Sequence, residues 1–178
     1  MDTDIRLATG EDAQRVASFF VDLYETRHGI GSASSLEMLQ RAVASLFTDD
    51  EALTVFVSEA SSVLQGVVAA RHAVDVGTCE LISIQASDSV QGRGVAQTLL
   101  RHLIENCAAR GGDILMTSIP ASDVRVRGFL RREGFIASAG EHASASTKSD
   151  EAITYVLDVA MALARSTVSD EDPDAADS

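Results

Sequence analysis

The passage from residue 78 to residue 109 most constrains this chain. A strand-like run, Thr78 to Ala86, leads into Gln91-Gly92-Arg93-Gly94-Val95-Ala96 and then into a long amphipathic stretch. Val95, Ala96, Leu99, Leu100, Leu103, Ile104, Cys107 and Ala108 form an apolar stripe at helical spacing, which Gly111-Gly112 ends. A strand, a glycine pair and a helix in succession place unpaired backbone amides and the positive end of a helix dipole at one point, and such a point binds anions. Glycine there also lets a phosphate approach without a Cβ in the way. The loop lacks the G-K-[ST] ending of a Walker motif, and it lacks the third glycine of a dinucleotide fingerprint. Its strand also comes late in a meander, where a dinucleotide site would have it open a βαβ unit.

The flanking sequence reads as alternating strands and helices. Ile5 to Ala8 predicts a strand, and Thr9-Gly10-Glu11-Asp12 opens a helix reaching about Tyr24. A loop, His28 to Ser32, precedes a helix capped by Ser34 or Ser35 and running to about Phe47. Strands Leu53 to Glu59 and Val63 to Val74 are joined by Ala60-Ser61-Ser62. After the long helix come a strand (Ile114 to Ile119), a helix (Ser122 to Glu133) and two strands (Phe135 to Ala139, Ile153 to Val159). The order β-α-α-β-β-β-α-β-α-β-β, with hairpins first and crossovers second, predicts an α+β fold. Its central sheet is mixed, mostly antiparallel and flanked by helices. Residues 166–178 carry Asp170, Glu171, Asp172, Asp174 and Asp177 and no basic residue, so the fold is expected over 1–165 with a disordered acidic tail behind it. That tail reads as a solvated end or as an interaction segment.

Composition removes several function classes. Twenty-seven acidic residues against 14 basic ones give a net charge of −13, which argues against a nucleic-acid binder. A 46% hydrophobic content excludes a disordered polyanion. No apolar run approaches the ~18 residues of a membrane span. The acidic start, Met1-Asp2-Thr3-Asp4, is not a targeting peptide, so the cytoplasm is expected. Cys79 and Cys107 form no C-x-x-C pair and suit small buried hydrophobes in a reducing compartment. His72, His102 and His142 show no metal spacing, and Ser83, Cys79 and Tyr155 no nucleophilic triad, so no metal is expected.

The glycine loop resembles the pyrophosphate-binding motif of the GNAT acyltransferase superfamily, Q/R-x-x-G-x-G/A. Gln91, Gly94 and Ala96 match it, and Arg93 is typical. The element order extends the resemblance over about residues 4–163. It implies acetyl-coenzyme A as acyl donor, with Gln91, Gly92, Arg93, Gly94, Val95 and Ala96 around the pyrophosphate. By position, the backbone of Ile84, Gln85 and Ala86 would contact the pantetheine, and the amide of Ile84 or Ala86 would polarise the thioester carbonyl. Glu80 is polar at the start of an apolar strand and shares parity with Ile82 and Ile84. A partly desolvated carboxylate there would be a stronger base, and an ammonium acceptor needs a base before it can attack. Cys79-Glu80-Leu81-Ile82-Ser83-Ile84 is similar to the histone-acetyltransferase branch, whose general base precedes the loop by 11 residues, as Glu80 precedes Gln91. The other reading of Glu80 is a strand-end glutamate paired with an arginine or facing water.

The segment Asp123 to Phe135 departs from the family pattern N-x-x-A-x-x-L/F-Y-x-x-x-G-F. Gly134-Phe135, Val126 and Phe129 fit, but Asp123 replaces the asparagine that contacts the cofactor. Leu130 replaces the tyrosine that often protonates the leaving thiolate, and leucine has no proton to give. Arg125, Arg127, Arg131 and Arg132 read either as a cationic patch or as solvated partners of the surplus carboxylates. His28 lies in the loop that lines the acceptor site in the family, or is simply exposed. The expectation is an N-acetyltransferase acting directly on a primary amine of a small molecule or peptide, with no nucleic-acid or membrane partner and a homodimer compatible with the resemblance. The alternative is a catalytically weak coenzyme-A-binding sensor or interaction protein on the same fold, which Leu130 favours.

Overall fold

The computed structural model describes residues 4–29, 33–47, 51–73, 76–138 and 152–169. Among these, β1 (Asp4–Leu7), α1 (Ala13–His28), α2 (Ala33–Ala44), β2 (Leu53–Ala60), β3 (Val63–Ala73) and β4 (Thr78–Ala86) precede the long helix α3 (Val95–Ala109). Then follow β5 (Ile114–Pro120), α4 (Val124–Arg132), β6 (Ile136–Ala137), β7 (Ala152–Asp158) and α5 (Val159–Ser169). The strands form a sheet of order β1-β2-β3-β4-β5-β7-β6, antiparallel in its β1/β2, β2/β3, β5/β7 and β6/β7 pairs and parallel between β4 and β5. The chain packs as two units, one built from the described residues up to His72 with Leu81–Leu103, the other from Ala73–Glu80 with the described residues from Ile104 onward.

In the first unit, strand alternation sorts side chains to two covers. Val57 stands opposite Val67, and Val55 opposite Ala69. These four pack with Val16 of α1 and Val43 of α2, and Phe19 and Phe20 close the edge of the cluster. Residues one step out of phase meet α3. Phe56 lies 6.4 Å, ring to ring, from His102. Gly66 sits so close to α3 and β4 that a Cβ would be 2.8 Å from Leu99 Cδ1 and 2.9 Å from the Gln85 carbonyl oxygen. The predicted stripe of α3 is the buried one, with Leu99, Leu100 and Leu103 at most 1% exposed, each such side chain contributing about 2 kcal/mol. The β2/β3 ladder slips between Ser58 and Glu59, making Gln65 the extra residue of a bulge whose carbonyl accepts the Ser87 N–H at 2.8 Å.

An ionic cluster fastens the start of α1. Arg6 from β1 grips the Asp12 carboxylate with both terminal nitrogens, at 2.7 and 2.8 Å, and also bonds Glu59 of β2. Arg15 bridges the same two carboxylates at 3.1 Å each. The Thr9 N–H adds a bond to Asp12 at 2.9 Å, one half of a capping box. The Arg6 guanidinium holds the Asp12 carboxyl well below the usual carboxylate range although burial opposes it, and Arg15 does the same to Glu59.

In the second unit, Thr78, Cys79 and Glu80 pair in parallel with Ile114, Leu115 and Met116. The β5/β7 ladder runs from Ile114↔Asp158 to Pro120↔Ala152. Leu115, Leu130, Phe135, Tyr155, Leu157 and Val159 are buried. Asp123 caps α4 by accepting the Val126 N–H at 3.0 Å, and Asp158 accepts the Met161 N–H at 2.8 Å at the start of α5.

The element order and mixed sheet match the sequence reading, with differences that have local causes. Nothing breaks α1 until Gly29, so it runs to His28, which is a helical residue and not the first of a loop. The cap at Asp123 starts α4 two residues later than expected, and β6 (Ile136–Ala137) begins one residue later because the Phe135 N–H closes a turn onto the Leu130 carbonyl, while Ala139 lies outside the described residues. The helix α5 was not expected. It runs through 166–169, so these residues are helical and not part of a disordered tail, while 170–178 lie outside the described residues, as do Met1 to Thr3, Val74 and His142.

Candidate functional site

The loop Gln91–Ala96 owes its shape to its two glycines. Gly92 and Gly94 take φ of 78° and 76°, a left-handed conformation that a β-carbon disfavours, and no heavy atom stands within 4 Å of where that carbon would be. The Arg93 N–H is spent on the Val90 carbonyl at 3.1 Å, and helical bonding begins with the Thr98 N–H on the Gly94 carbonyl at 2.9 Å. Between them, the amides of Gly94, Val95, Ala96 and Gln97 have no acceptor among the described residues. Gln91, Gly92 and Arg93 are exposed. An open backbone, consecutive free amides and a 15-residue helix behind them are an arrangement that can accept an anion.

Ile84, Gln85 and Ala86, expected beside the loop, form the end of β4 and are half-buried. Two of them are engaged by a residue that the sequence did not single out. Arg27, one residue from the end of α1, donates to Gln85 Oε1 at 2.9 Å, to the Ala86 carbonyl at 3.2 Å and to Asp88 Oδ1 at 3.0 Å. Its partners lie 58 to 61 residues away in the chain, and no local pattern announces such a contact.

Glu80 shares strand parity with Ile82 and Ile84, as expected, but it is exposed, so the desolvation expected of it is not present. The neighbours of opposite parity, Cys79 and Leu81, carry the burial of the strand. Asp123 is exposed and its carboxylate serves the α4 cap. Leu130 is fully buried among the apolar side chains of its unit. Of the arginines on α4, Arg125, Arg131 and Arg132 are exposed, whereas Arg127 turns inward. Its Nε donates to the hydroxyl of the buried Tyr155 at 3.1 Å and its Nη1 to the Ala121 carbonyl, and the guanidinium lowers the Tyr155 pKa. Cys79 and Cys107 are free thiols, both buried, and the bond to Cys107 together with burial pushes the Cys79 thiol far above its usual range.

Residues 17–135, about two thirds of the chain, match the model of the acetyltransferase (GNAT) family. No curated protein matches the sequence. Solved structures share the fold at low identity. The ribosomal-protein-S18-alanine N-acetyltransferase of Escherichia coli superposes with a TM-score of 0.66 at 19% identity, over 89% of this chain and 94% of that one. The PaiA N-acetyltransferase of Thermoplasma acidophilum, in complex with coenzyme A, gives 0.68 at 16% identity, over 86% and 98%. The spermidine/spermine N-acetyltransferase SpeG of Vibrio cholerae, in mutant forms, gives 0.67 at 16% identity, over 92% and 98%.

Proposed function

The chain belongs to the GNAT acetyltransferase family, and we propose that it transfers an acetyl group from acetyl-coenzyme A directly to a primary amine of a small molecule or peptide in the cytoplasm. The observation that carries the donor is the run of free amides from Gly94 to Gln97 behind the left-handed glycines. These amides and the α3 dipole suit a diphosphate, with Arg93 adding a positive charge on the exposed side of the loop. Bound acetyl-coenzyme A would supply the activated acyl carbon. The backbone of Ile84 to Ala86 would align the pantetheine, and an amide of Ile84 or Ala86 would meet the charge developing on the carbonyl oxygen.

Glu80 is the base in this reading. It stands four residues before Ile84 with the same parity, about 13 Å back along the strand, a spacing that calls for water to relay the amine proton to it. Exposure leaves it open to both an ammonium acceptor and a relay water. Two of the solved structures that share the fold are named as N-acetyltransferases of ribosomal-protein-S18 alanine and of spermidine/spermine, which supports an amine acceptor. No described helix is long and apolar enough to cross a membrane.

One observation favours a second reading, a coenzyme-A sensor without turnover. Leu130 is wholly buried as a core residue, so its helix offers no hydroxyl at that position to protonate a thiolate. Calorimetry with acetyl-coenzyme A, followed by thiol release over a panel of amines, separates the two. Binding with release supports the transferase, and binding without release on any amine supports the sensor. No binding removes both. With an acceptor in hand, Glu80→Gln is expected to lower turnover at neutral pH by about 10²- to 10⁴-fold, and unchanged turnover would take Glu80 out of the mechanism.

A further inference from the structure

Arg27 stands in the last turn of α1, which Gly29 closes with φ of 79° and an N–H bond of 2.8 Å to the Glu25 carbonyl. Its three acceptors follow one another along the chain. Gln85 and Ala86 end β4, and Asp88 opens the 3-10 turn Asp88–Val90 that runs straight into the glycine loop. The Gln91 N–H bonds back to the Asp88 carbonyl at 3.2 Å, so this carboxylate-bearing residue is one hydrogen bond from the first residue of the glycine loop.

A carboxylate so placed works against the loop. The Asp88 charge repels a phosphate arriving at the amides of Gly94 to Gln97, with a reach set by the Debye length, ~8 Å at physiological salt. The guanidinium 3.0 Å from Asp88 Oδ1 cancels that charge while the same group fixes the Ala86 carbonyl. Lysine could do only part of this. A single ammonium is a point charge, whereas the planar fork reaches an amide oxygen, a carbonyl and a carboxylate together.

We propose that Arg27 is a positioning residue for the acyl donor. It holds the end of β4 in place and neutralises Asp88, so that the loop that follows receives the phosphates of coenzyme A. The proposal rests on the reading of that loop as the coenzyme A site.

Titration calorimetry with coenzyme A, on the full chain and four variants, tests it. Arg27→Ala is expected to weaken binding about tenfold, the size of one charge-assisted contact. Arg27→Lys should fall between the two, and in the double variant Arg27→Ala/Asp88→Asn affinity should return to within about threefold of the wild type. Asp88→Asn alone should bind at least as tightly as the wild type. In turnover assays, Arg27→Ala should raise the KM for acetyl-coenzyme A by more than it lowers kcat. A residue that merely supports the fold would not be rescued by removing a carboxylate. Equal affinity of wild type and Arg27→Ala overturns the proposal, as does a double variant no tighter than Arg27→Ala. If Arg27→Ala does not fold, wild-type affinity in Arg27→Lys overturns it. A wild-type chain that does not bind coenzyme A overturns the reading of the loop first, and the proposal with it.

Discussion

The two ends of α1 are both fastened by arginine, and they differ in what the arginine meets. At the start, Arg6 and Arg15 share Asp12 and Glu59, whose side chains are 5% and 15% exposed. Two cations meet two anions there, both carboxylates are held below their usual range, and the pairs with Glu59 tie β2 to β1 and to α1. At the far end, a single guanidinium is spread over an amide, a carbonyl and one carboxylate on the approach to the glycine loop. Both arrangements agree with the helix dipole, acid at the amino end and base at the carboxyl end. The first cluster is balanced within itself and holds the fold. The second is divided among unlike acceptors, and on our proposal it serves the binding of coenzyme A.

Removing Asp12 should break the comparison most sharply. Asp12→Ala takes the buried acceptor from two arginines and from the Thr9 N–H, at a cost of about 3 kcal/mol in denaturant unfolding. Coenzyme A affinity of the folded variant should stay within about twofold. A parallel loss of affinity would mean the two ends are not separable. Acid should probe the same cluster. Asp12 and Glu59 have folded pKa values below their unfolded ones, so their stabilisation is complete above the ordinary carboxylate range and drains away as pH falls below about 4. The unfolding midpoint should decline there, and the Asp12→Asn/Glu59→Gln pair should flatten that decline.

Gly66→Ala should disturb the other end through β4. The new methyl would press on the Gln85 carbonyl, which is backbone and cannot swing aside, for a loss of about 2 kcal/mol. Coenzyme A affinity should fall with it, because the displaced strand is the one that Arg27 holds. The smallest expected effect sharpens the contrast. Arg27→Ala, whatever it does to binding, should shift the unfolding free energy by no more than about 1 kcal/mol, because its pairs are partly solvated. A larger shift would move Arg27 into the same class as Arg6.

Much of the fold is legible in the sequence. Thr78–Ala86 and Val95–Ala109 could be read because a glycine pair, a strand and an apolar stripe are local patterns, and burial then followed the stripe. The helix α5 is not legible, because the acidic composition from Asp170 onward has the character of a disordered tail, and Asp158, the residue that caps its start, also fits a strand end. The exposure of Glu80 escaped for a different reason. An apolar strand suggests burial for all its members, yet alternation places Glu80 on the face opposite Cys79 and Leu81. Arg27 belongs to a third kind. Its role lies in contacts across some sixty residues, and only the folded chain brings those together.

The division of the chain also carries an order in time. The first unit has all its residues by Leu103, although the chain leaves it at His72 and returns at Leu81. The second unit waits for β7, whose last residue is Asp158, and for the helix that follows. On a ribosome, where chains emerge amino end first, the residues of the first unit, with the glycine loop and Arg27, therefore leave before those of β7 and α5.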